Sequence, residues 1–223
     1  MNINIVEGIE VAKGLSDTVV VIDVFRASNT ILAALSKGAK EIHVADNEKA
    51  ADDLRKRYQG SLFFGEHMGD KLPDANYTNS PSETYSLDLT GRTIVLLTTM
   101  GSRVIAAPKN ANEILVASFG NVTVIADYLK KSQSGVINLV ACGELGDRAL
   151  EDYECAKYIQ GILQSKEVDF TAVKDTILAS SHGAKRLKDK GQGKDLEICL
   201  ELDYSQIVPY VNLQDGGVVL RAK

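Results

Sequence analysis

The residues best equipped for chemistry begin at Asp23. A continuous apolar run, Val19-Val20-Val21-Ile22, ends there, and a carboxylate at the end of a buried strand is costly unless something pairs with it. Arg26 follows, then the polar cluster Ser28-Asn29-Thr30 at the start of a helical pattern marked by Ile31, Leu32 and Leu35. Ser28 or Asn29 can cap that helix, and its free N–H groups and positive dipole end suit an anion. One turn thus offers a metal ligand in Asp23, a guanidinium in Arg26 and an anion cradle over residues 28 to 30. The plainer alternative is a strand-end carboxylate tied to a nearby Arg beside an ordinary cap.

Four further turns carry comparable groups. Gly65-Glu66-His67 follows a short apolar run. Glu66 suits a magnesium ion or a general base, and His67 can steady a negative substrate or donate a proton. In Asn79-Ser80-Pro81-Ser82-Glu83, helix capping accounts for Ser80, Pro81 and Glu83, and Asn79 is left for ligand contact. Thr98-Thr99-Met100-Gly101-Ser102-Arg103 repeats the logic of residues 23 to 30. Gly101 lets backbone approach a ligand, and Arg103 can hold a carboxylate, sulfonate or phosphate through two parallel hydrogen bonds. Cys142 and Arg148 have the Cys-x5-Arg spacing of cysteine-nucleophile phosphatases. Against that reading, Glu144 and Asp147 place acid in the loop, and a small buried side chain also explains Cys142. Glu151 and Asp152 either favour the dipole of the following helix or ligate a cation.

The elements needed to hold these turns are legible in the pattern. Strands are predicted at about 2–6, 19–23, 41–45, 62–64, 93–97, 114–117 and 136–141. Helices are predicted at about 28–37, 47–58, 121–131 and 149–164, with short helices after Ser82 and near Arg103. Such repetition predicts an α/β fold of three layers, α/β/α, with a mostly parallel or mixed central sheet. In such sheets ligands gather at the carboxyl ends of strands, so the polar turns should converge on one rim. The chain reads as a single domain over residues 1–223, with a core to about 165 and a helical appendage from about 166 that covers the sheet or a homodimer partner. Residues 196 to 202 are compatible with helix or strand. Lys185-Arg186-Leu187-Lys188 reads as a solvated basic face, and Gly216 to Leu220 as a turn and edge strand.

Composition narrows the function. A net charge of −5 over 223 residues argues against general nucleic-acid binding, so an anionic ligand needs a local pocket. Three scattered cysteines suit neither a disulfide framework nor a Cys-rich zinc site, and fit a reducing compartment. The start of the chain lacks a signal-peptide pattern and no apolar run reaches spanning length, so a cytoplasmic protein without membrane contact is expected.

Taken in order, Asp23-Val24-Phe25-Arg26-Ala27-Ser28-Asn29-Thr30, Gly65-Glu66, Asn79-Ser80-Pro81, Thr98 to Arg103, Ser118-Phe119-Gly120-Asn121 and Glu151-Asp152-Tyr153-Glu154-Cys155-Ala156 resemble the 2-phosphosulfolactate phosphatase family. The likeness spans about Val19 to Gln164. His67, Met100 and Asn29 depart from the family's usual Arg, Asn and hydroxyl residue. The resemblance implies magnesium-dependent hydrolysis of a phosphate monoester on a small acidic hydroxy acid, (2R)-O-phospho-3-sulfolactate, on the route to sulfolactate and coenzyme M. It implies catalytic Asp23, Glu66 and Arg26, and a cation held by Asp23 and Glu66 with Glu151 or Asp152. Ser28, Asn29, Thr30, His67, Asn79, Thr99, Gly101, Ser102, Arg103, Asn121 and Cys142 would bind substrate. Two alternatives stand beside it: a metal-independent cysteine phosphatase using Cys142 and Arg148, and a non-catalytic module that binds organic anions.

Overall fold

The computed structural model describes residues 1–132, 134–144, 147–213 and 217–223. Its centre is one sheet in the order β1-β8-β2-β7-β9-β10-β3-β6-β4-β5. Four parallel strands form one half: β1 (Asn2–Glu7), β8 (Val136–Ala141), β2 (Thr18–Ile22) and β7 (Glu113–Ala117). Three parallel strands form the other: β3 (Glu41–Ala45), β6 (Thr93–Leu97) and β4 (Leu62–His67), with the short β5 (Asp70–Lys71) folded back on β4. Between their ends β2, β6 and β7 are wholly apolar, as strands covered on both faces must be; Asn4 of β1 and Asn138 of β8 interrupt the pattern and pair with each other at 3.0 Å.

The two halves are joined by the end of the chain. Strands β9 (Pro209–Asn212) and β10 (Val218–Ala222) form an antiparallel hairpin, with β9 against β7 and β10 against β3. The tail therefore lies inside the sheet and is not the edge strand that its local pattern suggests. Gly216, part of that expected turn, lies outside the described residues. Both junctions being antiparallel, β3, β6 and β4 run opposite to β1, β8, β2 and β7. Strand twist of about 20–25° per step accumulates over the five steps from β2 to β6 and swings the carboxyl ends of the two halves back toward each other.

Alternation along β2 feeds both faces. Val20 and Ile22 pack with α6 (Val122–Lys131) and α7 (Leu150–Leu163), while Val19 and Val21 pack with α2 (Ala27–Ser36) and α5 (Gly101–Ile105). At the far end, α3 (Glu48–Arg57) covers Phe63, Val95 and Leu97. The short α1 (Gly8–Ala12) packs by β1, β8 and α5, and α4 (Pro81–Tyr85) packs on α2. The expected helical segment after residue 166 is present as α8 (Phe170–Ser180), α9 (His182–Asp189) and α10 (Gly193–Cys199). Residues 196 to 199, left open between helix and strand, are helical. Among the described residues no helix is long and apolar enough to cross a membrane.

Candidate active site

One cleft gathers the ends of β2, β4, β6 and β8. Its walls include Asp23, Arg26, Glu66, Asn79, Thr99, Met100, Gly143, Glu151 and Asp152, and α9 with its C-cap adds Arg186, Leu187 and Lys190. Asp23 follows β2 and is fixed by the turn after it. Ala27 N donates to Asp23 Oδ1 at 3.1 Å, Asp23 N donates to Ser28 Oγ at 3.0 Å, and Ser28 N donates to the Asp23 carbonyl at 3.0 Å. The Phe25–Arg26 peptide bond is cis. Burial, with Glu66 and Glu151 nearby, pushes the Asp23 carboxyl up to about 7. Like charges that converge out of water favour the protonated form.

The other carboxylates are held differently. Glu66 accepts from Thr99 N at 2.7 Å through Oε1, and from Gly69 N at 2.6 Å and Thr99 Oγ1 at 3.1 Å through Oε2. It thereby ties the β4 and β6 ends together. Asp152 accepts from Val24 N at 2.8 Å and Gly143 N at 3.2 Å, one oxygen to each of the neighbouring β2 and β8 ends. Glu151 takes a 2.6 Å bond from Ser181 Oγ on Oε2. Burial raises both Glu151 and Asp152 above the ordinary carboxylate range.

Arg26 lines the cleft but already has a partner. Its Nη1 donates to Asp195 Oδ2 at 2.7 Å, with the two side chains only 4% and 3% exposed. Asp195 Oδ1 also accepts from Ser80 Oγ and Ser82 N. A guanidinium has five donors, so this pair orients Arg26 without exhausting it. Asn79 presents a buried Oδ1 that has no hydrogen-bond partner among the described residues, an acceptor beside the cleft.

Several other expected site residues lie behind the wall. Ser28, Asn29 and Thr30 are buried inside α2, which starts at Ala27 without a side-chain cap, so neither Ser28 nor Asn29 caps it. Asn29 Oδ1 accepts from Ser118 Oγ at 2.8 Å and Tyr204 OH at 2.6 Å, and its Nδ2 donates to the Val24 carbonyl. Asn121 closes a capping box with Ser118 and donates to the Val116 and Ile207 carbonyls. Ser102 exchanges hydrogen bonds with Thr98. Gly101 admits the close approach of Asp23: a Cβ there would run into Asp23 Oδ2 and sit 2.5 Å from Ala27 Cβ. His67 and Arg103 open into a second cleft with Lys49 and Asp46, separated from the first by the shared wall of Glu66 and Thr99.

The geometry does not support a cysteine nucleophile. Cys142 is 1% exposed, and burial beside Asp23 and Asp152 pushes its thiol well up. Arg148 turns away to pair with Glu7 through Nε and Nη2 at 2.8 and 2.6 Å, and stacks over Tyr153. Leu145 and Gly146 of that loop lie outside the described residues.

The sequence reading missed the contribution of α9. Lys185 and Lys188 are exposed, as a solvated basic face requires, but Arg186 and Lys190 are turned to the cleft. The available signal was the stripe Gly183, Arg186, Leu187 and Lys190, whose spacing of three and four puts them on one helix face. Gly183 sits where a Cβ would meet Glu151 and Phe25, so the helix can lie close over the carboxylates.

The 2-phosphosulpholactate phosphatase family model matches residues 3–214. A protein of Carboxydothermus hydrogenoformans named "Probable 2-phosphosulfolactate phosphatase" is 33% identical over 100% of this chain and 98% of its own length. Proteins of the same name from Thermotoga petrophila and Thermotoga maritima are each 36% identical, over 92% of this chain and 92% of their own.

Proposed function

The chain belongs to the 2-phosphosulpholactate phosphatase family and is a phosphoric monoester hydrolase; from that premise we propose that it cleaves (2R)-O-phospho-3-sulfolactate to 3-sulfolactate and phosphate with the help of magnesium. The observation that carries this reading is the composition of the cleft. Five carboxylates, Asp23, Glu66, Glu144, Glu151 and Asp152, stand with three cations, Arg26, Arg186 and Lys190. Such a mixture suits a divalent cation together with a multiply charged anion, and neither partner alone.

Among the described residues no group of three or more His, Cys, Asp and Glu side chains is arranged to hold a metal. Magnesium does not need one, since it binds through one or two carboxylates, substrate phosphate oxygens and water. Asp23 fits that role best. Its Oδ1 takes the Ala27 amide, which leaves Oδ2 for a cation, and the burial and neighbouring carboxylates that raise its proton affinity would be offset by a positive charge. Glu151, with Oε2 on Ser181, would be the second ligand. Bound there, magnesium would neutralise charge on the phosphoryl oxygens. Asp152 and Glu66 spend their oxygens on backbone amides and brace the rim.

The chain's own residues supply the rest. Hydrolysis breaks the ester P–O bond, forms a new P–O bond to water, and leaves a proton on the released hydroxyl. Arg26, oriented by Asp195, offers its remaining N–H groups to phosphoryl oxygens. Asn79 Oδ1 accepts a hydrogen bond from water or from a substrate hydroxyl. Phosphate release from 2-phospho-3-sulfolactate, with and without excess chelator, tests the proposal. Chelation should lower turnover by about 100-fold or more, with recovery on adding magnesium. Full turnover in excess chelator would overturn the magnesium reading.

A further inference from the structure

A substrate with a phosphate, a sulfonate and a carboxylate needs counter-charges for all three. Arg103 and His67, the cationic candidates in the sequence, open into a different cleft. Arg26 is tied to Asp195. The remaining cations that line the first cleft are Arg186 on α9 and, one turn on, Lys190 at the helix's C-cap.

Helix α9 lies over the cleft and is fastened on both sides of it. Arg186 pairs with Glu144, on the loop after β8. Lys190 reaches the turn after β4, where it donates to Asp70 Oδ1 at 2.7 Å and to the Met68 carbonyl at 3.2 Å. Both pairs are partly exposed: the side chains of Arg186 and Glu144 are 36% and 33% exposed, and those of Lys190 and Asp70 are 31% and 80%. Exposed ion pairs of this kind add little stability and exchange readily for another anion. One donor of the five on Arg186 is occupied by Glu144, so a planar fork remains for an acid group. Leu187, buried between the two cations, keeps this part of the roof apolar and strengthens charge pairing beneath it.

We propose that Arg186 and Lys190 are specificity-determining residues: between them they receive the sulfonate and carboxylate of the substrate, exchanging Glu144 and Asp70 for those groups when it binds. This rests on the phosphatase reading above for the identity of the substrate. It assigns the second and third anionic groups to α9, while the phosphoryl group stays with the β2 and β4 ends.

The test compares 2-phospho-3-sulfolactate with 2-phospholactate, which lacks the sulfonate, in wild type, Arg186→Gln, Arg186→Lys and Lys190→Gln. Binding of 3-sulfolactate is measured by calorimetry in the same proteins. Each Gln variant should raise KM for the sulfonated substrate by about 10–100-fold with kcat nearly unchanged, the size expected for a lost charge-assisted hydrogen bond. In at least one of them the preference for the sulfonated ester should fall by about tenfold or more. Arg186→Lys keeps the charge and loses the fork, and should lie between wild type and Arg186→Gln. If wild type turns over and every variant keeps the wild-type preference and KM, the α9 assignment is wrong and the phosphatase reading survives. If wild type releases no phosphate yet 3-sulfolactate binding weakens in the variants, the assignment stands and the reaction reading falls. Loss of neither turnover nor binding in any variant overturns the assignment outright.

Discussion

Replacing Asp23 by Asn should stabilise the metal-free protein while it abolishes turnover. Asp23 is buried near Glu66 and Glu151, and its carboxyl is raised from 3.8 to about 7. The folded protein therefore keeps a proton that the unfolded chain gives up at lower pH. The sign follows from that difference. Below the unfolded value the carboxyl costs nothing; stability is lost as pH rises from about 3.8 toward about 7, and the loss is complete above that. At about 1.4 kcal/mol per pH unit, a rise of this size corresponds to a ceiling of about 4 kcal/mol. Rearrangement of Glu66 and Glu151 will absorb part of it, so about 2–3 kcal/mol is the expected gain. An asparagine keeps the oxygen that accepts from Ala27 N, so the turn itself should survive. For a chain of this length, Asp23→Asn should melt about 4–12 °C above wild type at pH 8, with the gap closing toward pH 4. Melting curves from pH 4 to 8 in chelator-containing buffer measure the gap, with phosphate release followed in parallel. A gap that does not change with pH would refute the claim that burial among like charges sets the Asp23 proton affinity.

Cys142→Ser should keep phosphate release within about threefold of wild type, because a buried, protonated thiol is no nucleophile; a loss of several hundredfold would restore the cysteine mechanism. Gly101→Ala should cost about 1–3 kcal/mol in denaturant unfolding and lower turnover, since the added methyl displaces Asp23 or Ala27; wild-type stability and turnover together would contradict the packing described. Asp195→Ala should cost about 3–5 kcal/mol in denaturant unfolding, as removal of one member of a buried pair strands the Arg26 charge; a cost under about 1 kcal/mol would show that Arg26 finds another partner.

The first two-thirds of the fold was legible because each element carries its own signal. The runs 94–97 and 136–141 are apolar apart from Asn138, and 93–97 and 136–141 became β6 and β8 with the expected bounds. Asn47 announces α3 by a side chain that does accept from Ala50 N. The hairpin was not legible because its place depends on distant partners: β10 pairs with β3 and β9 with β7, and nothing in Val218-Val219-Leu220 says whether one edge or both will be used. The convergence of Asp23, Glu66, Glu151 and Asp152 followed from their positions at strand ends and helix starts. Which hydroxyls and amides face the cleft did not. Ser28, Asn29 and Ser102 carry suitable groups, yet the helical turns that begin at Ala27 and at Gly101 point them into neighbouring backbone and side chains. Arg186 was hidden inside a run of lysines whose composition says only that one side of the helix meets water.

The position of the terminal hairpin also fixes an order of events during synthesis. Both parallel halves leave the ribosome before residue 209, each with one flank still bare: β7 on one, β3 on the other. Strands β9 (Pro209–Asn212) and β10 (Val218–Ala222) supply the hydrogen bonds that seal those flanks. A polypeptide that stops short of Pro209 therefore leaves both flanks unsealed, and the cleft, which draws on β2 and β8 from one half and β4 and β6 from the other, lacks the strands that bridge its two sides.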